Sequence, residues 1–167
     1  MHPGLIRAII ILPGTVLVFV HALLLWLSRG TSLAPRLAQP SELQFWLGWL
    51  CLTVGIVLAI WTARLQLTIG RGTPAPWDPT TKLVVAGPYR HVRNPMITGA
   101  FFILLAEALL LHSWPIAIWL GIFVILNLIY MPLFEEKALE ARFGSEYREY
   151  KAHVPRWLPR WRPWVKI

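Results

Sequence analysis

At 167 residues the chain has room for one domain, and 56% of it is hydrophobic against 14% charged. A soluble domain is roughly half apolar and about a quarter charged, so this is a membrane composition, with a mean hydropathy of +0.55. The net charge of +8 could suggest a nucleic-acid binder, but its distribution argues against one, because the basic residues lie in segments outside the apolar runs, as the positive-inside rule expects. Cys51 is the one cysteine, which excludes an internal disulfide and a cysteine-built zinc site.

Residues 5–27 are apolar apart from Arg7 and His21. At ~1.5 Å per residue they suffice to cross ~30 Å of hydrocarbon. Pro13-Gly14 predicts a kink, and the apolar part is too long for a cleaved signal. Residues 28–41, with Gly30, Pro35 and Pro40, read as a loop. Ser41-Glu42-Leu43-Gln44 reads as a capping box that opens a second span over 42–63. Trp46, Trp49 and Trp61 stand towards its ends, where aromatic belts form.

Residues 64–94 carry Gly70, Gly72, Pro74, Pro76, Pro79, Gly87 and Pro88, so a loop is expected. Trp77, Val84, Val85 and Tyr89 predict that part of it packs down. Asn94-Pro95 opens a third span over 95–112, with proline in the first turn where its missing N–H does no harm. Ser113-Trp114-Pro115 is a tight reversal, so the fourth span, 116–134, makes a helical hairpin with the third. The tail, 135–167, begins as an amphipathic helix from Glu135 to Phe143, with Gly144 as its candidate interruption. It ends in prolines alternating with Trp and Arg. Prolines forbid a regular helix, and Trp157, Trp161 and Trp164 are expected as an interfacial belt.

The expected fold class is therefore all-α integral membrane: about four transmembrane helices in a single membrane domain, with a C-terminal amphipathic helix. Of the sixteen Lys and Arg, only Arg29 and Arg36 lie between the first two spans, and none lies in the hairpin turn. The side carrying the rest is cytoplasmic by the positive-inside rule. Both termini, the 64–94 loop and the tail then face the cytosol. The length alone points to a bacterial inner membrane. Glu107 is an intramembrane acid, but it lies far along its helix from the charged segments and is left out of the site. Asn127 is expected to bond between helices, and His21 and His112 to be satisfied polar residues.

The 90–94 corner and the helix from Glu135 bring cations, acids and aromatics to one membrane surface. Such a set can hold a carboxylate or phosphate, an amine or ribose diol, and a flat ring or cation. Glycine-loop phosphate motifs, histidine metal boxes and hydrolase pairs are absent from the sequence, and no metal site is expected.

Arg93-Asn94-Pro95-Met96-Ile97-Thr98-Gly99 resembles the Arg-His-Pro-x-Tyr-x-Gly element of the membrane methyltransferases. These include isoprenylcysteine carboxyl methyltransferase and the phospholipid N-methyltransferases. Gly87-Pro88-Tyr89-Arg90 resembles the same family's lead-in. Glu135-Glu136, Leu139, Phe143-Gly144, Tyr147, Tyr150 and Val154-Pro155 match its C-terminal motif almost position for position. The resemblance spans about residues 70–160.

The resemblance implies an S-adenosylmethionine site at the cytosolic surface. Tyr89, Arg93, Asn94 and Gly99 would form its adenosine end. Glu135 and Glu136 would hold the ribose or amino group, Tyr147 and Tyr150 the wall, and Arg142 would lie near the acceptor. Glu136 and Arg142 are the catalytic candidates. The acceptor implied is a lipid or prenyl-like molecule, with a carboxyl methyltransferase-like enzyme as the leading reading and an amine-methylating phospholipid enzyme as the alternative. An NADPH-dependent sterol-reductase-like enzyme and a non-catalytic membrane module are the rivals. Two positions depart from the pattern: Asn94 does not titrate as histidine does, and Ile97 lacks the tyrosine hydroxyl.

Overall fold

The computed structural model describes residues 18–73 and 79–165. The described residues are helical with no strand. They form α1 (Val20–Ser28), α2 (Leu43–Thr68), a 3-10 turn (Gly87–Arg90), α3 (Pro95–Leu110), α4 (Trp114–Tyr130), a π-helical turn (Met131–Glu135) and α5 (Glu136–His153). Among the described residues, two helical runs are long and apolar enough to cross a membrane: α2, and the run Trp114–His153 that joins α4 to α5. α3 is apolar but shorter. Most of the first expected span, including Pro13-Gly14, lies outside the described residues, as does Trp77.

The chain divides into two compact units. The first comprises Met1–Val57 and Gly99–Ile125; the second comprises Leu58–Thr98 and Leu126–Ile167.

In the first unit α2 and α3 meet at glycine. A Cβ on Gly55 would sit 2.7 Å from Ile103 Cγ1 and 2.8 Å from the Gly99 carbonyl oxygen. One on Gly48 would sit 2.6 Å from Leu110 Cγ. Small residues let helices approach closely where lipid supplies little hydrophobic drive. The helical reversal occupies residues 111–113, with His112 at φ +43, and Phe101 meets Phe123 edge-to-face at 5.7 Å across the α3–α4 pair. This is the expected hairpin, with α4 starting two residues earlier.

Two polar knots complete this unit. His21 of α1 pairs with Glu107 of α3, and both are drawn from an apolar setting. Glu42 takes Arg36 Nη1 at 2.8 Å and the Gln39 amide at 3.0 Å. The acid thus reaches back to an amide in the loop ahead of the helix, which starts at Leu43.

In the second unit α2 continues to Thr68, five residues past its expected end. Thr62 is fully buried there, its hydroxyl donating to the Leu58 carbonyl at 2.7 Å. The chain then folds back, the Thr81 amide donating to the Gly70 carbonyl at 2.8 Å. Val84 and Tyr89 are buried as predicted. The core of this unit is Tyr147, Tyr150 and Val154, with Leu83, Val85, Leu139, Phe143 and Trp164 packed around it.

Candidate functional site: a clamped carboxylate pair

The 87–94 corner is bent by its own sequence. Gly87 has φ +52, a conformation that costs other residues about 1–2 kcal/mol. A Cβ there would also press to 3.0 Å on the Trp61 ring. Pro88 then starts the 3-10 turn. Tyr89 is buried with both polar ends used: its hydroxyl accepts from Gln66 Nε2 at 2.8 Å, and its carbonyl accepts from the Tyr150 hydroxyl at 2.7 Å. Burial pushes the Tyr89 phenol up to about 12, against the Gln66 hydrogen bond. Asn94 caps α3 through its backbone: its carbonyl accepts from the Thr98 amide and hydroxyl, both at 3.0 Å.

The second half of the site begins with a helix defect. Pro132 has no N–H to give the preceding turn, and the helix widens into a π turn over Met131–Glu135. The Glu136 amide donates to the Met131 carbonyl, five residues back. Glu135 closes this turn, Glu136 follows it, and the two have opposite surroundings.

Glu136 is 3% exposed and is surrounded by cations. Arg156 grips it with two prongs, Nε to Oε1 at 2.5 Å and Nη2 to Oε2 at 3.0 Å. Arg93 Nη1 lies 2.9 Å from Oε1, and Lys151 Nζ lies 3.7 Å from Oε2. Burial alone would raise this carboxyl's pKa. The Arg156 hydrogen bonds and the charges of Arg93, Arg156 and Lys151 outweigh it and hold the group below the usual carboxylate range. Glu135 is half-buried and makes no hydrogen bond or ion pair among the described residues. Burial raises its pKa, with only the more distant Arg142 charge opposing.

The two tyrosines stand against this pair. Tyr147 is 2% exposed, and burial together with the Glu136 charge pushes its phenol up to about 12. Tyr150 is equally buried and its ring lies 6.1 Å from that of Tyr147. Between Phe143 and Tyr147 the chain turns at Gly144, at φ +55 and ψ −125, which breaks α5 where its sequence offered an interruption.

After α5 the tail lies along the corner. The Arg93 amide donates to the Pro155 carbonyl at 2.9 Å, the Arg160 amide to the His91 carbonyl at 3.0 Å, and the Trp164 amide to the Arg90 carbonyl at 3.0 Å. His91 Nδ1 donates to the Arg160 carbonyl at 2.8 Å, and Asn94 Nδ2 faces the Arg156 carbonyl at 3.5 Å.

Of the sequence candidates, the second unit gathers Tyr89, Arg93, Asn94, Glu135, Glu136, Tyr147 and Tyr150. Arg93 and Glu136 are in direct contact. Arg142 is on the same helix but exposed, its guanidinium 5.8 Å from the Phe143 ring centroid. Gly99 belongs to the first unit, where it is a helix-packing residue beside Gly55. Trp164 departs from the expected belt: it stacks on His153 at 5.3 Å and packs on Tyr150. Trp161 is 98% exposed, as a belt residue would be.

Sequence reasoning missed Arg156, Lys151 and Gln66. The signal for Arg156 was present, since a buried carboxylate requires a cation, but a sequence with sixteen Lys and Arg does not say which one.

A phospholipid methyltransferase family model matches residues 43–146, more than half of the chain. An uncharacterized protein of Haemophilus influenzae is 38% identical over 61 residues, covering 32% of this chain and 97% of that relative. No solved structure matches. The matched residues include both halves of the site, Tyr89 to Asn94 and Glu135-Glu136, and the chain belongs to the phospholipid methyltransferase family, within the integral membrane methyltransferase superfamily.

Proposed function

We propose that the protein uses S-adenosylmethionine to methylate a lipid dissolved in its own membrane. Family membership implies methyl transfer, and the observation that carries the cofactor reading is the union of both motifs in one unit through Arg93 and Glu136. The residues fit such a ligand. Glu135 is a carboxylate open to an amine or ribose diol. Arg93 is a buried cation held between Glu136 and Tyr147. Tyr147 and Tyr150, buried in the core, support the pair from behind. When bound, the cofactor's sulfonium supplies an electrophilic methyl group. The protein's part is to orient the acceptor in line with it and to exclude water.

Two acceptor chemistries have support. The family's description favours a phospholipid headgroup amine, and the raised Glu135 carboxyl is a better base for the amine's proton than an ordinary carboxylate. A carboxylate acceptor, as in the isoprenylcysteine enzymes, needs orientation rather than a base, and exposed Arg142 is suited to provide it. In this reading the chain is a single membrane domain with four spans and an amphipathic C-terminal helix. Both termini face the cytoplasm of a bacterial inner membrane.

Calorimetry in mild detergent tests the cofactor, with S-adenosylmethionine and NADPH titrated in parallel. Saturable binding of the sulfonium compound is expected. Binding of NADPH alone would move the protein to the reductase class, and binding of neither by monodisperse protein would leave a non-catalytic module.

A further inference from the structure

The family match ends at residue 146, yet the strongest partner of the buried carboxylate comes from residue 156. We propose that Arg156 is a positioning residue that completes the site. It clamps Glu136 as an internal strut, fixes Arg93 through it, and leaves Glu135 as the carboxylate that meets the ligand. The proposal rests on the cofactor reading above, and it assigns roles within that site that the motif alone leaves equal.

A carboxylate has about four lone-pair sites, and Glu136 meets Arg93, both prongs of Arg156 and Lys151. At 3% exposure it has little free surface to offer a ligand. Glu135, one residue earlier, has no such partner and is half-buried. A bidentate guanidinium also sets orientation, which a lysine point charge does less well. Arg156 reaches the corner twice, through its side chain to Glu136 and through its carbonyl, which faces the Asn94 amide. The neighbouring Pro155 carbonyl holds the Arg93 amide. The tail is therefore a strap whose order reports directly on residues 90–94.

The test uses full-length protein in detergent, comparing wild type with Arg156→Ala, Arg156→Lys, Glu136→Gln and Glu135→Gln. S-Adenosylmethionine affinity is expected to fall about tenfold or more in Arg156→Ala and Glu136→Gln, to recover to within a few-fold in Arg156→Lys, and to fall furthest in Glu135→Gln. The Arg156→Ala/Glu136→Gln double variant should be no weaker than Glu136→Gln alone, because the Arg156 ion pair is already lost with the carboxylate charge. Amide hydrogen exchange supplies a readout free of cofactor: Arg156→Ala should speed exchange at Arg93, Arg160 and Trp164 about tenfold, while Glu135→Gln leaves it unchanged. Wild-type affinity in Arg156→Ala would overturn the proposal, as would full loss in Glu136→Gln with none in Glu135→Gln. If the wild type binds no cofactor, the methyltransferase reading fails, and unchanged exchange in Arg156→Ala would remove the strap as well.

Discussion

The two units solve the same problem, holding helical chain together, with different materials. In the first, α2 and α3 touch where Gly48 and Gly55 remove side chains, and backbone comes within reach of backbone. In the second, a small core around Tyr147, Tyr150 and Val154 is joined by the charge of one buried carboxylate and by backbone hydrogen bonds from a proline-rich tail. Hydrocarbon provides little drive to bury apolar surface, so shape governs the first unit. A site for a charged ligand must hold fixed charges, so electrostatics governs the second. Point substitutions should therefore fail for different reasons in the two places.

The largest effect is expected at Glu136. Glu136→Ala leaves Arg93, whose side chain is 9% exposed, without its counter-charge. Breaking such a buried pair costs about 3–5 kcal/mol, and the lower end applies because Arg156 and Lys151 keep contact with solvent. Thermal unfolding in detergent checks it; a shift no larger than that of Gly121→Ala, a site with open space around it, would break the comparison.

Gly55→Ala comes next. Its new methyl meets the Gly99 carbonyl and the Ile103 amide, which cannot rotate away. Overpacking of this kind costs about 1–3 kcal/mol. Gly48→Ala meets the Leu110 side chain, which can, and should cost less than about 1 kcal/mol by the same reasoning. Equal losses at the two glycines would argue against backbone contact as the governing term.

The smallest effect is in pH. The Glu136 carboxyl has its pKa depressed in the folded state, so its contribution is complete above the ordinary carboxylate value and is lost as pH falls through the folded value. The stability gap between wild type and Glu136→Gln should close in acid. At the other end, Tyr89 and Tyr147 are raised to about 12, so stability falls once pH exceeds the ordinary tyrosine value of about 10. Unfolding midpoints across pH, with Tyr89→Phe as reference, sharpen both limbs.

Much of this was legible in the sequence. Apolar runs located α2, α3 and α4, and Ser113-Trp114-Pro115 located the reversal to within two residues, with Trp114 and Pro115 opening α4 instead. The motif residues named Arg93 and Glu136 before any contact was known. The packing positions of α2 were also written there, since Gly48 and Gly55 are spaced by seven, the repeat that keeps one helix face on a partner. They are obscured by the uniform hydrophobicity of a helix whose outer faces meet lipid. The π turn was less accessible: Pro132 announces a defect, but its form depends on neighbouring backbone. The unequal fates of Glu135 and Glu136 were not legible at all. They depend on Arg156, twenty residues on, and sequence spacing does not encode that contact.

The most direct test of the central claim is methyl transfer itself. Purified protein is reconstituted into bilayers of mixed lipid, given methyl-labelled S-adenosylmethionine, and the organic phase is counted. Phosphatidylethanolamine and an isoprenylcysteine carboxylate are offered in separate reactions. The account predicts label in lipid with wild type and its loss with Glu135→Gln. Monodisperse wild-type protein that labels no lipid from either acceptor or from a total extract would contradict it.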